Sequence, residues 1–227
     1  MKKVTFVLAI LALVSCKFDQ TGNKNIIPEN PDHELEEVNV MTEDAMGEEE
    51  EMTDAAEGKL DEHGNYIYNV GDLMTITLPD GKKLEVGANS TENKLFTMLS
   101  NEGFEINHDD KTQGWVTLDR VYFETGSDGL TATSMKQIEN IVTILNAYPN
   151  AKVKLGGYTD NTGSQDINQP LSEGRAKAVM NNIVKNGINA ERLAAEGYGA
   201  DHPVCPANDT DMCKAQNRRV DVRLTEK

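Results

Sequence analysis

The strongest constraint on the fold is an alternation of strand-like and helix-like patterns that begins near Gly114 and continues to the last residue. Two stretches place apolar side chains on one helical face, 132–147 and 172–187. Four other stretches are rich in β-formers or alternate between apolar and polar residues: 116–123, 153–155, 193–197 and 220–224. The resulting β-α-β-α-β-β order predicts an α/β two-layer sandwich in which both helices cover one face of a four-stranded mixed sheet.

The boundaries of the second predicted helix follow from the residues that flank it. Ser172 is a favourable N-cap because its hydroxyl can accept a hydrogen bond from a free backbone N–H group. Gly187 suits the left-handed residue that often follows a helix. This interpretation places Arg175 in the first turn of the helix.

The acidic residues are concentrated in one segment, and this limits the part of the chain that can fold. The chain has 227 residues and a net charge of −16, which disfavours a nucleic-acid partner. Residues 29–62 contain 15 acidic residues and one lysine, whereas residues 114–227 contain 14 acidic and 13 basic residues. We therefore predict that residues 16–63 form a disordered, extended acidic linker. A cation-binding tail is the alternative, although the segment lacks the ligand spacing of an EF-hand loop.

The N-terminus has the pattern of an export signal. Two lysines precede an apolar run from Val4 to Val14, interrupted only by Thr5. Eleven helical residues span about 16 Å, too little for a hydrocarbon core of about 30 Å. We therefore predict a signal peptide over residues 1–15. The following Cys16, preceded by Leu-Val-Ser, resembles the lipid-bearing cysteine of a bacterial lipobox and predicts a membrane anchor; an ordinary signal peptide with a chance cysteine is the alternative.

The two remaining cysteines, Cys205 and Cys213, lie close together in a stretch rich in turn-forming residues. Two cysteines left in an exported protein are usually paired, so we predict a structural disulfide. A metal site or a catalytic thiol is disfavoured because there is no CxxC spacing and the nearby His202 stands alone.

Residues 64–113 predict a small module before the sandwich. Two alternating segments flank a turn signal and predict a hairpin: 74–78, 79–81 and 82–86. A cap at Ser90 or Thr91 then begins a short helix that continues through Leu99. The module has few apolar residues, so we expect it to pack on the C-terminal domain or on a partner.

Five motifs within residues 114–227 resemble the OmpA C-terminal domain family, the peptidoglycan-binding domain that also occurs in Pal lipoproteins and flagellar stator proteins. In chain order they are Val121-Tyr122-Phe123 with Gly126, Gly157 to Gly163, Asn168 to Ala176, Gly197-Tyr198-Gly199, and Asn217 to Val220. A TDxxG motif alone is weak evidence, but five motifs in family order are specific. The resemblance covers half the chain and implies an OmpA-like fold.

The resemblance implies that the ligand is the stem peptide of peptidoglycan, bound at diaminopimelate, whose side chain ends in an ammonium and a carboxylate on one carbon. By this resemblance, Asp160 binds the ammonium and Arg175 binds the carboxylate, since a planar guanidinium matches a carboxylate in a way that lysine does not. Thr159 and Asn168 are expected to line the same pocket, and Arg218 to lie near the ligand. The alternative for Asp160 and Arg175 is a structural salt bridge.

The sequence departs from the family at Gly126, where many members carry Asn. A polar contact to the stem peptide is then either missing or supplied by the backbone. The four histidines are scattered, and the chain has no GxSxG, HExxH or P-loop motif. We therefore expect no enzymatic activity and no requirement for a cofactor or a metal.

Together these features predict a lipid-anchored outer-membrane lipoprotein whose domain faces the periplasm and tethers the membrane to the cell wall. The alternative is a structural or interaction lipoprotein, in which the OmpA-like domain or the module at 64–113 binds an envelope protein partner instead of peptidoglycan.

Overall fold

The computed structural model describes residues 59–124 and 126–227. The predicted signal peptide, the predicted lipidation site at Cys16 and most of the predicted acidic linker lie outside the described residues. In chain order, the elements are β1 (Lys59–Leu60), β2 (Tyr66–Ile67), β3 (Leu73–Thr77), β4 (Lys83–Gly87), α1 (Thr91–Ser100), β5 (Trp115–Thr117), α2 (Ser134–Ala147), β6 (Lys152–Gly157), α3 (Gln165–Lys185), a 3-10 turn (Ala190–Arg192), β7 (Leu193–Gly197), α4 (Asp211–Asn217) and β8 (Val220–Glu226).

A four-stranded sheet in the order β5-β8-β6-β7 forms one layer of the main domain. Strands β6 and β7 are parallel, whereas β8 is antiparallel to both β5 and β6. Alternation along β6 buries Val153 and Leu155 in the core that also contains Ile138 of α2 and Ile183 of α3. The predicted mixed sheet with two covering helices is thus confirmed.

Helix α3 begins earlier than predicted, at Gln165 after the N-cap residue Ser164. The predicted N-cap, Ser172, lies inside the helix, where its hydroxyl donates to the carbonyl of Gln169 at 2.8 Å. The prediction was wrong because the first turns are polar and contain Pro170, which usually marks a helix boundary. Tertiary contacts hold these turns in place, since the Gln169 amide donates to the carbonyl of Gly197 at 2.8 Å.

Two glycines let α3 lie directly against the ends of β6 and β7. A Cβ atom on Gly157 would collide with the carbonyl oxygen of Ser172, and one on Gly197 would collide with the backbone nitrogen of Glu173. The Ser172 hydroxyl also accepts a hydrogen bond from the backbone N–H of Gly199 at 2.9 Å. This close approach fixes the N-terminal half of α3 over the carboxyl end of the central strand, where the family motifs lie.

The predicted hairpin and helix of the module are present as β3, β4 and α1. The hydroxyl of Ser90 caps α1 by accepting a hydrogen bond from the N–H of Asn93 at 3.3 Å. Apolar side chains of the module join the core of the main domain, among them Val86, Leu95 and Leu99. The module therefore packs on the C-terminal domain, as its small number of apolar residues led us to expect.

The described secondary structure includes residues before the predicted module boundary at residue 64. Strand β1 pairs with β2, so residues 59–68 form a second, very short hairpin, which we call the N-terminal hairpin. The linker prediction was therefore wrong over its last residues, because strands of two residues have no recognisable periodicity. Tertiary hydrogen bonds hold this hairpin, including one from the Arg218 guanidinium to the carbonyl of Gly64 at 3.0 Å.

Two further differences concern the predicted strand 116–123 and the cysteine loop. Strand β5 ends at Thr117, and Phe123 forms only an isolated bridge with Leu130. Cys205 and Cys213 are joined by a disulfide. The chain around Cys213 forms α4 rather than an irregular loop, and the Thr210 hydroxyl caps this helix.

Candidate functional site

A pocket of about 520 Å³ opens at the carboxyl end of β6. This volume lies within the range of roughly 300–1,000 Å³ that is usual for small-molecule sites. All five residues that the sequence assigns to ligand binding line it, together with Gly126: Thr159, Asp160, Asn168, Arg175 and Arg218. The fold therefore brings together side chains that are distant in sequence, such as Asp160 and Arg218, which are 58 positions apart.

Asp160 is the buried anion of this pocket, with 7% of its surface exposed. One carboxylate oxygen accepts the backbone N–H of Thr162 at 2.8 Å, and the other pairs with Nη1 of Arg218 at 2.8 Å. Burial alone would raise the pKa of Asp160, but these contacts outweigh burial and hold the pKa below its ordinary value. The carboxylate is thus charged at neutral pH, and it retains lone pairs for another donor.

Arg175 is a buried cation, only 5% exposed, that lies on the same side of the pocket as Phe123. Its Nε donates to the carbonyl of Ser127 at 3.1 Å, and its Cζ lies 5.1 Å from the centre of the Phe123 ring. Among the described residues, no carboxylate lies within ion-pair distance of its guanidinium. Burial, and then the charge of Arg218, lower the pKa of Arg175. A buried cation without a carboxylate partner favours an anionic ligand group.

The salt bridge that the sequence offered as an alternative, between Asp160 and Arg175, is therefore not the one that forms. Asp160 pairs with Arg218 instead. The early start of α3 also overturns the expectation that Arg175 lies in its first turn. The N–H groups that begin this helix consequently lie about two to three turns before Arg175, so they give no direct support to a ligand group at its guanidinium.

Thr159 contributes a polar atom that has no partner within the described chain. Its Oγ1 is buried without a hydrogen bond, whereas its backbone N–H donates to the carbonyl of Gly199 at 2.8 Å. Buried polar atoms normally have partners, so an unpaired hydroxyl in a pocket favours a ligand or a water there. Asn168 is better satisfied, because its amide nitrogen donates to the carbonyl of Asp160 at 3.3 Å.

Two further groups that bear on the pocket, one side chain and one backbone carbonyl, were not identified from the sequence. Arg219 lines the pocket and leaves its buried Nη1 without a partner, although its Nε pairs with Asp221 at 3.0 Å. Its guanidinium lies 3.8 Å from the centre of the Tyr158 ring. The carbonyl of Ser127, which orients Arg175, is the other. A backbone acceptor leaves no signal in a sequence. Arg219, in contrast, could have been identified, because it directly follows Arg218 in one of the family motifs.

Gly126 lies at the rim of the pocket, at the position where the family commonly carries Asn. It has a φ of 67°, in the left-handed region, and a Cβ atom there would meet no atom within 4 Å. Asn is among the residues that tolerate this conformation best. The backbone at Gly126 therefore has a conformation that an Asn residue could also adopt.

The pocket combines a charged acceptor at Asp160 with a free charged donor at Arg175, and both are nearly buried. Such an arrangement can bind a small group that carries an ammonium and a carboxylate close together. The described residues contain no cluster of three or more His, Cys, Asp or Glu side chains that could hold a metal ion. No helix among residues 59–124 and 126–227 has the length and apolar character required to cross a membrane.

The fold and the pocket together define a two-layer α/β domain with a charged pocket at one end of its sheet. Residues 122–218 match the OmpA family, so this part of the chain is an OmpA family domain, as the five motifs predict.

The relatives in sequence include a protein named "Probable lipoprotein YiaD" from Escherichia coli, 35% identical over 46% of this chain and 48% of its own length. Another is "Peptidoglycan-binding protein ArfA" from Mycobacterium tuberculosis, 39% identical over 43% of this chain and 30% of its own length. The chain thus spans about half, or less, of the length of these relatives.

Solved structures with a similar chain path include the peptidoglycan-associated lipoprotein from Burkholderia pseudomallei, with 23% identity and a TM-score of 0.43 over 50% of this chain and 92% of that one. A MotB-like protein from Desulfovibrio vulgaris has 26% identity and a TM-score of 0.46 over 60% of this chain and 90% of that one.

Proposed function

We propose that this protein binds peptidoglycan non-covalently at the diaminopimelate residue of the stem peptide. Arg175 carries the proposal, because it is a buried guanidinium without a carboxylate partner among the described residues. The ligand carboxylate would pair with Arg175, and the neighbouring ammonium would pair with Asp160. The unpaired hydroxyl of Thr159 supports the proposal, since it offers a further hydrogen bond in the same pocket.

The ammonium must share Asp160 with Arg218, which already pairs with one oxygen of that carboxylate. A carboxylate can accept about four hydrogen bonds, so one more donor can be accommodated. Arg218 has a second partner in the carbonyl of Gly64, and this contact keeps it in position when the ligand enters. We therefore assign Arg218 a positioning role beside Asp160, and we assign Asn168 the role of fixing the loop that carries Asp160.

In the cell, we propose that the protein tethers the outer membrane to the cell wall as a non-enzymatic lipoprotein. The predicted lipid on Cys16 would hold one end in the outer membrane, and the domain would bind the wall from the periplasm. The acidic residues between them would repel each other and keep the connection extended. The relatives described above support this role through their names alone, as a lipoprotein and a peptidoglycan-binding protein.

Co-sedimentation with diaminopimelate-type sacculi tests the binding role. The full-length protein, purified in detergent, is incubated with sacculi and centrifuged. We expect the wild type to pellet and the variants Asp160→Ala and Arg175→Ala to remain largely in the supernatant. Lys177→Ala is the matched control, because it removes an exposed positive charge from the same helix and leaves the pocket intact. If all four proteins pellet alike, the assigned site is wrong.

Fractionation of cells that express Cys16→Ser tests the anchor separately. Without an acceptor for the lipid, the variant should be exported and recovered in the soluble fraction, since stable anchoring requires the acyl chains. The variant should still pellet with sacculi, because its pocket is unchanged. Recovery of this variant in the membrane fraction would overturn the lipoprotein proposal and would leave the peptidoglycan site intact.

A further inference from the structure

One wall of the pocket comes from outside the OmpA family match. The match begins at residue 122, yet five residues of the N-terminal hairpin line the same pocket: His63, Gly64, Asn65, Tyr66 and Tyr68. Neither the motifs nor the hydrophobic periodicity of the sequence predicts this contribution. The hairpin therefore adds surface to the pocket that the family domain alone does not supply.

The hairpin is fixed in place by its own hydrogen bonds. The carboxylate of Asp61 accepts the backbone N–H groups of His63 at 2.9 Å and Asn65 at 2.8 Å, and also the Asn65 side-chain amide at 2.9 Å. Gly64 lies at the tip with a φ of 75°, a conformation that glycine adopts without strain. This network makes a defined turn from a stretch that contains only two pairs of strand residues.

Two contacts fasten the hairpin to the domain, and both involve residues of the pocket. Nη2 of Arg218 donates to the carbonyl of Gly64 at 3.0 Å, while Nη1 of the same guanidinium pairs with Asp160. The hydroxyl of Tyr122 donates to the carbonyl of Tyr66 at 3.2 Å. Arg218 thus connects the hairpin directly to the anion of the proposed ligand site.

Burial separates the pocket into a floor and a mouth. The charged and polar groups of the floor are nearly inaccessible, with Asp160 at 7% and Arg175 at 5% exposure. The hairpin side chains are more accessible, since His63 is exposed and Tyr66 is half-buried. The hairpin thus forms one accessible side of the pocket, and the peptide that continues from a diamino acid on the floor can extend along it.

We infer that the N-terminal hairpin is part of the binding site and that the ring of Tyr66 contacts the portion of a stem peptide that flanks the diamino acid. The inference rests on the proposed function and deepens it. Tyr66 and Tyr68 present adjacent rings whose centres lie 4.7 Å apart, and such rigid aromatic surfaces pack well against short aliphatic side chains and peptide planes. The hairpin thereby favours a peptide over a free amino acid.

Titration calorimetry with two ligands tests this inference on the full-length protein. One ligand is a soluble muropeptide that carries a diaminopimelate tripeptide, and the other is free diaminopimelate, measured by its displacement of the muropeptide. We expect Tyr66→Ala to weaken muropeptide binding about tenfold, as for a moderately important interface tyrosine. The affinity for free diaminopimelate should change less than about twofold, because its charged groups reach only the floor.

Two variants serve as controls. Ile67→Ala truncates the neighbouring residue of β2, which is 46% exposed and does not line the pocket, and it should leave both affinities unchanged. Tyr66→Phe keeps the ring and should bind the muropeptide as the wild type does.

Equal muropeptide affinities for wild type and Tyr66→Ala would overturn the inference, and so would an equal loss for both ligands or an equal loss in Ile67→Ala. Failure of the wild type to bind the muropeptide would instead overturn the proposed function.

Discussion

Two clusters of charged and polar side chains in this protein differ in how many of their buried groups have hydrogen-bond or ion-pair partners. The first, which we call the Glu92 cluster, consists of Glu92, Asp119, Arg120, Gln137 and Asn140. The fully buried Glu92 carboxylate pairs with Nη2 of Arg120 at 2.6 Å and accepts further hydrogen bonds from Gln137 and Asn140. The second is the pocket, where Arg175 has no carboxylate partner and Thr159 Oγ1 has no hydrogen bond among the described residues.

This difference in pairing indicates a structural role for the Glu92 cluster and a binding role for the pocket. The Glu92 cluster joins the module to the main domain, because Glu92 lies on α1 and Gln137 lies on α2. Among the described residues, no buried side-chain nitrogen or oxygen of this cluster lacks a hydrogen-bond partner. In the pocket the opposite holds. Of the three buried side-chain atoms in the described chain that lack a hydrogen-bond partner, two belong to the pocket residues Thr159 and Arg219. Incomplete satisfaction thus marks the place where a ligand is expected.

The largest expected effect is on binding, after substitution of Arg175. Truncation of one partner of a buried charge pair costs about 2–5 kcal/mol of binding free energy, so Arg175→Ala should weaken muropeptide binding by about 30-fold or more. The free energy of unfolding should change by less than about 1 kcal/mol, because the lost hydrogen bond to Ser127 is offset by relief of a buried charge. Titration calorimetry and urea unfolding measure the two quantities, and a large loss of stability would contradict the binding role.

Substitution of Arg120 should have the reverse effect. Arg120→Ala leaves the fully buried Glu92 without its cation, and we expect the free energy of unfolding to fall by about 2–4 kcal/mol. Muropeptide affinity should remain within about twofold of wild type, because the pocket is not touched. Arg192 offers a matched control, since it binds only carbonyl groups of Leu145, Tyr148 and Ala151, so that Arg192→Ala leaves no buried carboxylate unpaired. If Arg120→Ala unfolds with the same free energy as the wild type, the Glu92 cluster does not have the structural role that distinguishes it from the pocket.

Loss of the disulfide is expected to lower both the stability of the fold and the affinity for the muropeptide. It therefore tests whether these two properties can be changed independently. Reduction of Cys205–Cys213, or the double substitution to Ser, should lower the free energy of unfolding by about 2–3 kcal/mol in the chain-entropy model. Helix α4 begins within this loop and contributes Asp211, Lys214 and Ala215 to the pocket, so muropeptide binding should weaken as well. Denaturation and calorimetry with and without reductant measure both effects. An unchanged affinity would show that α4 keeps its position without the bond.

The pH dependence of stability reports on Asp160. Because the pKa of Asp160 in the folded protein lies below its ordinary value of 3.8, the ionised carboxylate stabilises the fold above that value. This stabilisation is lost as the pH falls through the lowered pKa. We therefore expect the stability difference between wild type and Asp160→Asn to be larger at neutral pH than at about pH 2, as measured by urea unfolding. A difference that does not change with pH would contradict the Asp160–Arg218 ion pair.

The smallest expected effect comes from restoring the common family residue at position 126. Gly126→Asn should fold normally, because the left-handed conformation suits Asn and the site is open. The new amide can hydrogen-bond the ligand, and we expect muropeptide affinity to rise by about two- to fivefold. Gly81→Asn, at another open left-handed position outside the pocket, is the control for effects on folding. A weaker affinity would show that the backbone already makes this contact.

The sequence predicted the features that depend on periodicity and on motifs. The sandwich, the hairpin β3–β4 and the cap at Ser90 follow from local patterns, and the motifs bring Asp160 and Arg175 to one pocket. Features that depend on tertiary contacts were missed. The polar first turns of α3 are held by Gln169, and the N-terminal hairpin is held by Arg218, so neither leaves a local signal. The pairing of Asp160 with Arg218 rather than with Arg175 was also missed, because the spacing of these residues in the sequence does not show which arginine lies closer.

We propose that Arg175 is the residue that binds the carboxylate of the ligand. The most direct measurement is the coupling energy between the Arg175 guanidinium and the ligand carboxylate. It is obtained by titrating wild type and Arg175→Ala with two ligands. One is a diaminopimelate muropeptide, and the other is its lysine counterpart, which lacks that carboxylate. We predict that the wild type prefers the diaminopimelate ligand by about tenfold or more and that Arg175→Ala binds both ligands with similar, weak affinity. The same preference in both proteins would contradict the account.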